Sequence, residues 1–163
     1  MFKGTVCVLS TMSIGTLTES GMGSMTEEQM HTFLTEQGVG ILGLATEEVP
    51  YLVPLSFGFD GDSSLYFVYL LFGTGSQKET LTDETQQGRF VTYRAKSMHE
   101  WQSVSLTGTI HTISDDEWDT LQESMENAWH SDLFASASPM RGVEGYRFDI
   151  EDWTGVTYGV REE

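Results

Sequence analysis

YLVPLSFGF (Tyr51–Phe59), DGDS (Asp60–Ser63), SLYFVYLLF (Ser64–Phe72) and GTGSQKETLTDETQQ (Gly73–Gln87) read in succession as strand, tight turn, strand, glycine loop and helix. In the first strand, Tyr51, Val53, Leu55, Phe57 and Phe59 share one face by period-two alternation. The opposite face carries Leu52, Pro54, Ser56 and Gly58, small and polar enough to accept a flat ligand. Pro54 cannot donate to a ladder, which puts this strand at an edge or beside a bulge. Asp60-Gly61 is a hairpin signal, and Leu65–Phe72, apolar on both faces, pairs back. Gly73 and Gly75 break the sheet, and Ser76-Gln77-Lys78-Glu79 is a capping box that opens a helix to about Gln87, with Gly88 as its stop. Lys78 in the first helical turn opposes the macrodipole. Two arrangements resolve that. A phosphate can bind where the backbone N–H groups, the Ser76 hydroxyl and Lys78 converge, or Lys78 can pair with Glu79, Asp83 or another nearby acid while Ser76 only caps. The spacing is neither that of a P-loop nor that of a dinucleotide-binding fingerprint, so a ring with a phosphate tail is the ligand this stretch suggests.

Outward from that stretch, Thr26-Glu27-Glu28-Gln29 is another capping box, with Met25 and Met30 placed as a hydrophobic staple, an apolar stripe of Met30, Phe33 and Leu34, and a stop at Gly38. Val39–Ala45 is apolar on both faces, as a buried strand is. Arg89–Arg94 is a strand. Trp101–Ile113 is a long one, with Val104, Leu106 and Ile110 on one face and Trp101, Ser103, Ser105, Thr107, Thr109 and His111 on the other. A third capping box, Ser114–Glu117, precedes a helical stripe of Trp118, Leu121, Met125, Ala128 and Trp129, which places Trp118 and Trp129 in the core. Ser131–Gly142 is a loop, Glu144–Ile150 a strand, and Val156–Val160 a further one. About six strands with three helices between them make a mainly β, α+β domain: a closed or partly open antiparallel barrel. Residues 1–24, rich in Gly, Ser and Thr and without periodicity, read as a mobile leader, and residues 25–163 as the domain.

The composition excludes several partners. Twenty-five acidic residues against 8 basic ones give a net charge of −17, which repels nucleic acid and anionic membranes. With lysine only at positions 3, 78 and 96, this surface suits a protein kept soluble at high salt. Cys7 is the sole cysteine, so no intrachain disulfide forms and a reducing cytoplasm fits. No apolar run reaches a membrane span. His31, His99, His111 and His130 lack metal-ligand spacing, and no G-x-S-x-G elbow is present, so no metal site and no catalytic residue stands out.

The order PYLVPLSFGF, LYFVYLLFGTGSQKETL, RFVTY and WQSVSLTGTI resembles the FMN-binding split-barrel proteins related to pyridoxamine 5′-phosphate oxidase, over roughly Thr26–Ile150. Within that family it is nearest to the small nitroimidazole-resistance-like branch, and its acidic composition resembles that of haloarchaeal members. The resemblance implies a six-stranded antiparallel split β-barrel with three peripheral helices, working as a homodimer with FMN at the interface. It implies that Pro54, Leu55, Ser56 and Phe57 line the isoalloxazine ring, that Ser76, Gln77 and Lys78 hold the phosphate, and that Trp101, Gln102 and Ser103 reach the flavin from the second subunit. The implied activity is electron transfer from a reduced nicotinamide to a small acceptor. The alternatives are a flavin carrier without turnover and a haem- or deazaflavin-binding barrel. Gln77 stands where the family's phosphate triplet has arginine, which removes one cation, and Val68 stands where nitroimidazole-type members have histidine. The oxidase's C-terminal Arg-Leu substrate segment is missing, which argues against pyridoxamine phosphate as substrate.

Overall fold

Phe57 divides the stretch Tyr51–Phe59 into two strands that pair in different directions, and this division closes the barrel. The structure, a computed structural model, describes residues 21–71, 76–129 and 142–160. Its elements are β1 (Met22–Ser24), α1 (Glu27–Glu36), β2 (Val39–Leu44), β3 (Tyr51–Ser56), β4 (Gly58–Phe59), β5 (Ser64–Leu70), α2 (Gln77–Thr85), β6 (Gln87–Ser97), β7 (Glu100–Thr112), α3 (Trp118–Ser124) and β8 (Val143–Tyr158). The strands run β3-β2-β6-β7-β8-β5-β4, antiparallel at each pairing, and β1 adds to β8. Because β3 and β4 are joined through Phe57 alone, one segment forms both ends of that order. Counting β3 and β4 as one strand and setting aside the short β1 leaves the six strands of a split barrel.

Edge position explains Pro54. It lies opposite Ile41 of β2, and among the described residues β3 has no neighbour on its other side, so the missing N–H breaks no ladder. The chain then bends at Phe57, whose N–H donates to Gly38 O at 3.1 Å, and β4 pairs with β5. Asp60 shapes the following turn: its carboxylate accepts the N–H groups of Asp62, Ser63 and Ser64 at 2.9–3.0 Å, and Gly61 takes φ +86°.

The interior explains why β5 is apolar on both faces. Leu65, Phe67 and Tyr69 point into the barrel, where Phe67 stacks on Tyr146 at 5.6 Å and Phe57 meets Phe90 edge-on at 4.9 Å. Tyr66 and Val68 face the other way and are covered by Trp118, Leu121 and Met125 of α3 and the 3₁₀ turn after it. At α1 the expected capping box forms, with Gln29 Oε1 accepting from Thr26 N–H at 2.8 Å and Thr26 Oγ1 accepting from Gln29 N–H at 3.2 Å. Met25 and Met30 are both buried and crowd Gly155, where a Cβ would meet each of them within 2.8 Å.

Four expectations change. Order begins no later than Met22, because Met22–Ser24 pairs with Val156–Tyr158, so the last residues of the expected leader belong to the sheet. Glu144–Ile150 and the expected strand from Val156 are parts of one strand, β8, which ends at Tyr158 rather than Val160. Opposite Thr107 and Gly108 it bulges, and Glu151 accepts a hydrogen bond from Thr109 before the ladder resumes. Helix α2 ends on Gln86, itself left-handed at φ 51°, rather than on Gly88, which is paired in β6 against Gly108. Trp129 is 62% exposed: α3 stops at Ser124, a 3₁₀ turn follows, and the extended backbone at Ala128 (ψ 149°) swings Trp129 off the buried stripe. The expectations for residues 1–20, Gly73-Thr74-Gly75, His130 and Ser131–Arg141 fall outside the described residues.

Candidate functional site

Helix α2 is mostly polar, and one buried contact seats it. Thr82 is its only buried residue: the hydroxyl donates to Lys78 O at 2.7 Å and lies 3.0 Å from the Tyr69 hydroxyl inside the barrel. Burial pushes the Tyr69 phenol up to about 12, against the opposing Thr82 hydrogen bond. This seating puts the helix start at the end of β5. Lys78 Nζ donates to Leu70 O at 3.3 Å and sits 4.8 Å from the Tyr69 ring centroid. Desolvation holds its pKa below the ordinary lysine value. It pairs with neither Glu79 nor Asp83, so the surface-pair alternative for Lys78 is not what forms.

The capping box expected at Ser76 does not close. Ser76 makes no side-chain cap hydrogen bond, which leaves the first-turn N–H groups of α2 available to a ligand. An uncapped helix start with an inward-held lysine fits one phosphate group. Gln77 lies beside it with Tyr51, Glu47 and Glu48 around a hollow of about 380 Å³, so the surroundings add carboxylates rather than a second cation.

The other expected residues divide by face. Pro54 is exposed on the outer face of β3 and lines a hollow of about 480 Å³ with Ile41, Val91, Tyr93 and the displaced Trp129. Ser56 is half-buried. Leu55 packs against the core and Phe57 is fully buried in it, so these two support the strand from inside instead of offering a surface to a ring. Trp101 stacks on Tyr158 at 6.2 Å, and Gln102 Oε1 accepts from Arg94 at 2.8 Å. Arg94 also pairs with Glu36 at 2.9 Å.

Trp101–Ser103 and Ser76–Lys78 do not meet in one chain. Trp101 is the second residue of β7 and Thr112 its last, roughly 35 Å apart at ~3.3 Å per residue. Thr112 pairs with Tyr146, and Leu70, which holds Lys78, pairs with Val143 still further along β8. The two groups therefore lie toward opposite ends of the barrel.

Beside the helix start, α2 and β8 bring acids together. Burial raises the pKa of Glu144, opposed by the nearby Tyr146 hydroxyl and reinforced by Glu79 and Asp83. Asp83 is raised by burial and by Glu79, and Tyr146 is raised by burial and the Glu144 charge. A carboxyl whose folded pKa is raised favours the folded state when protonated, and that stability is lost as pH rises through the folded value. Glu144→Gln should therefore raise Tm at pH 7 by roughly 1–3 °C, and the gain should disappear below pH 4. Thermal denaturation followed by circular dichroism at both pH values checks this; an equal gain at both would remove the charge from the explanation.

The fold class, a split antiparallel barrel with a helix start opening at the end of its fifth strand, now has a family. The chain belongs to the pyridoxamine 5′-phosphate oxidase family, whose sequence model matches residues 26–157. Solved structures share the fold. A FAD-binding protein from Mesorhizobium loti superposes with TM-score 0.63 and 19% identity, over 83% of this chain and 96% of that one. A proposed 5-nitroimidazole antibiotic resistance protein from Bacteroides thetaiotaomicron gives 0.64 and 17%, over 84% and 87%. A FAD- and haem-binding protein from Mycobacterium smegmatis gives 0.63 and 16%, over 88% and 76%. None of the curated proteins matches the chain. Among the described residues, no helix is long and apolar enough to cross a membrane and no cluster of ligating side chains could hold a metal ion.

Proposed function

We propose that this protein binds a flavin, FMN by preference, and works as a cytoplasmic oxidoreductase between a reduced nicotinamide and a small acceptor. The observation that carries the reading is the uncapped start of α2 with Lys78 held beside it, in a chain of this family. Ser76, Gln77 and Lys78 take the phosphate, the helix dipole adds to the attraction, and Pro54 and Ser56 offer the outer face of β3 to the ring. When bound, the flavin supplies the hydride and electron chemistry; the chain supplies binding, orientation and electrostatics. Solved structures of this fold include FAD-binding proteins, which supports a flavin.

The reading includes a homodimer. If Trp101, Gln102 and Ser103 touch the same flavin as Lys78, they come from a second copy, because one chain separates them by the length of β7. Such a dimer is of the closed two-fold kind, with two equivalent sites.

Absorbance of the purified protein, before and after incubation with FMN, tests the proposal. A flavin spectrum, a dimer by analytical ultracentrifugation and anaerobic bleaching by NADH or NADPH are expected. A protein that takes up no flavin, or that shows a Soret band in its place, ends the FMN reading. Flavin binding without bleaching by any donor makes the protein a carrier.

A further inference from the structure

Around the start of α2, carboxylates outnumber cations among the described residues. Lys78 is the one basic residue of that helix, which also carries Glu79, Asp83 and Glu84. From the connection between β2 and β3, Glu47 and Glu48 line the hollow beside Gln77. Glu144 of β8 lies close enough to Glu79 and Asp83 to feel their charge. Among the described residues none of these carboxylates makes an ion pair. Burial raises the pKa of Asp83 and of Glu144, and the charge of Glu79 adds to both, so the group repels itself.

Two forces of different range act on a phosphate brought there. Attraction is short-ranged: charge-assisted hydrogen bonds from Lys78 and the first-turn N–H groups span about 2.7–2.9 Å. That is inside the Debye length even at 1 M salt, about 3 Å. Repulsion acts from further off. Asp83 stands roughly 7.5 Å along the axis from Lys78, at ~1.5 Å per residue. Glu47 and Glu48 are exposed on the far side of the hollow from Gln77. At 0.1 M salt the Debye length is about 10 Å and these charges are felt; at 1 M they are screened. A phosphate monoester carries about −1.5 to −2 at pH 7, which doubles the effect of each acid. Salt therefore removes more repulsion than attraction.

We infer that FMN binding at this helix start strengthens as salt rises, with Glu47, Glu48 and Glu79 as the residues that set the slope; this rests on the flavin reading above. A phosphate site built from several lysines and arginines behaves in the opposite way, because added ions compete for its cations. Here the single cation, held on Leu70 O and the Tyr69 ring, gives up little while the surrounding acids lose their reach. The flavin is thereby held best in the conditions that also screen the −17 surface.

Fluorescence titrations with FMN and riboflavin at about 0.1 M and about 1 M KCl test this, riboflavin reporting any effect of salt on folding or on burial of the ring. The ratio of FMN to riboflavin affinity should rise about 10-fold between the two salts, for a doubly charged phosphate among several acids. Glu47→Gln combined with Glu48→Gln, and separately Glu79→Gln, should raise that ratio by about 3-fold at the lower salt and leave it unchanged at the higher one. Glu123→Gln combined with Glu126→Gln removes as much charge as the first pair, from the helical cover on the other face of β5, and should leave the ratio unchanged at both salts. A ratio that stays level or falls with KCl would overturn the inference and leave the flavin reading standing. An equal effect from the pair at 123 and 126 would overturn it too, since net charge and not these acids would then set the slope. No uptake of FMN at either salt would end the flavin reading, and the inference with it.

Discussion

Gly58→Ala is expected to lower Tm by about 6–12 °C, or to leave a chain that does not fold. Gly58 lies between Phe57 and Phe59, where the bent strand passes under the end of α3. A Cβ there would stand 1.9 Å from Ser124 O, 2.3 Å from Ser124 C and 2.6 Å from Met125 N. All three are backbone atoms, so no rotamer change relieves the clash. Either β4 leaves β5 and the barrel loses its closure, or the helical cover moves off Tyr66 and Val68. Overpacking of this kind costs about 3 kcal/mol at its upper end, a large share of the ~5–15 kcal/mol that holds a typical domain together. For a chain of this length each kcal/mol is worth ~2–4 °C. Gly23→Ala is the control, since an added methyl there meets nothing within 4 Å. Calorimetry on both variants checks the prediction, and a Gly58→Ala protein as stable as the Gly23→Ala protein would mean that the helical cover is not where it stands here.

Lys78→Ala is expected to weaken FMN binding by roughly 10- to 100-fold, the range of one charge-assisted hydrogen bond, with little effect on riboflavin. Only FMN brings a phosphate to the start of α2. Among the described residues of that helix's first turn Lys78 is the cation, because Gln77 is neutral. Its ammonium already leans on Leu70 O and the Tyr69 ring, so the side chain is ordered before any ligand arrives and little rotamer entropy is lost on binding. Fluorescence quenching titrations with both ligands on both proteins read the difference. An equal loss for FMN and riboflavin would make Lys78 a structural residue, and no loss for either would remove it from the site. Gln77→Arg is the complementary gain: a second cation at this helix start should tighten FMN and leave riboflavin unchanged.

Much of this architecture is legible in the chain because the relevant physics is local. Period-two alternation separates the faces of β3 and β7 without reference to any neighbour, and Pro54 marks an edge or a bulge because a proline lacks the donor an interior strand needs; the pairing decides for the edge. The capping box at Thr26 closes for the same reason: its partners are three residues apart. The box at Ser76 has the same letters and stays open, because α2 is positioned from outside itself, by Thr82 on Tyr69 and Lys78 on Leu70. The stripe that should bury Trp129 also fails locally, through a 3₁₀ turn that no spacing rule reveals.

The candidate site was readable only in pieces. Ser76, Lys78 and Pro54 can be picked out by type and spacing, and alternation already sets Leu55 and Phe57 on the apolar face of that stretch, the face that the structure turns into the core. The separation of Trp101 from Lys78 depends on the length and pairing of β7 and β8.

By itself, then, the sequence determined the strand and helix types, the acidic surface and a helix start able to hold an anion, since each depends on residues within a few positions of one another. Tertiary structure alone decided that one bent strand closes the barrel, that Gly58 must stay bare beneath a helix, and that the two halves of the expected flavin site lie toward opposite ends of one chain. Those outcomes depend on contacts between segments far apart in sequence, which local pattern does not encode.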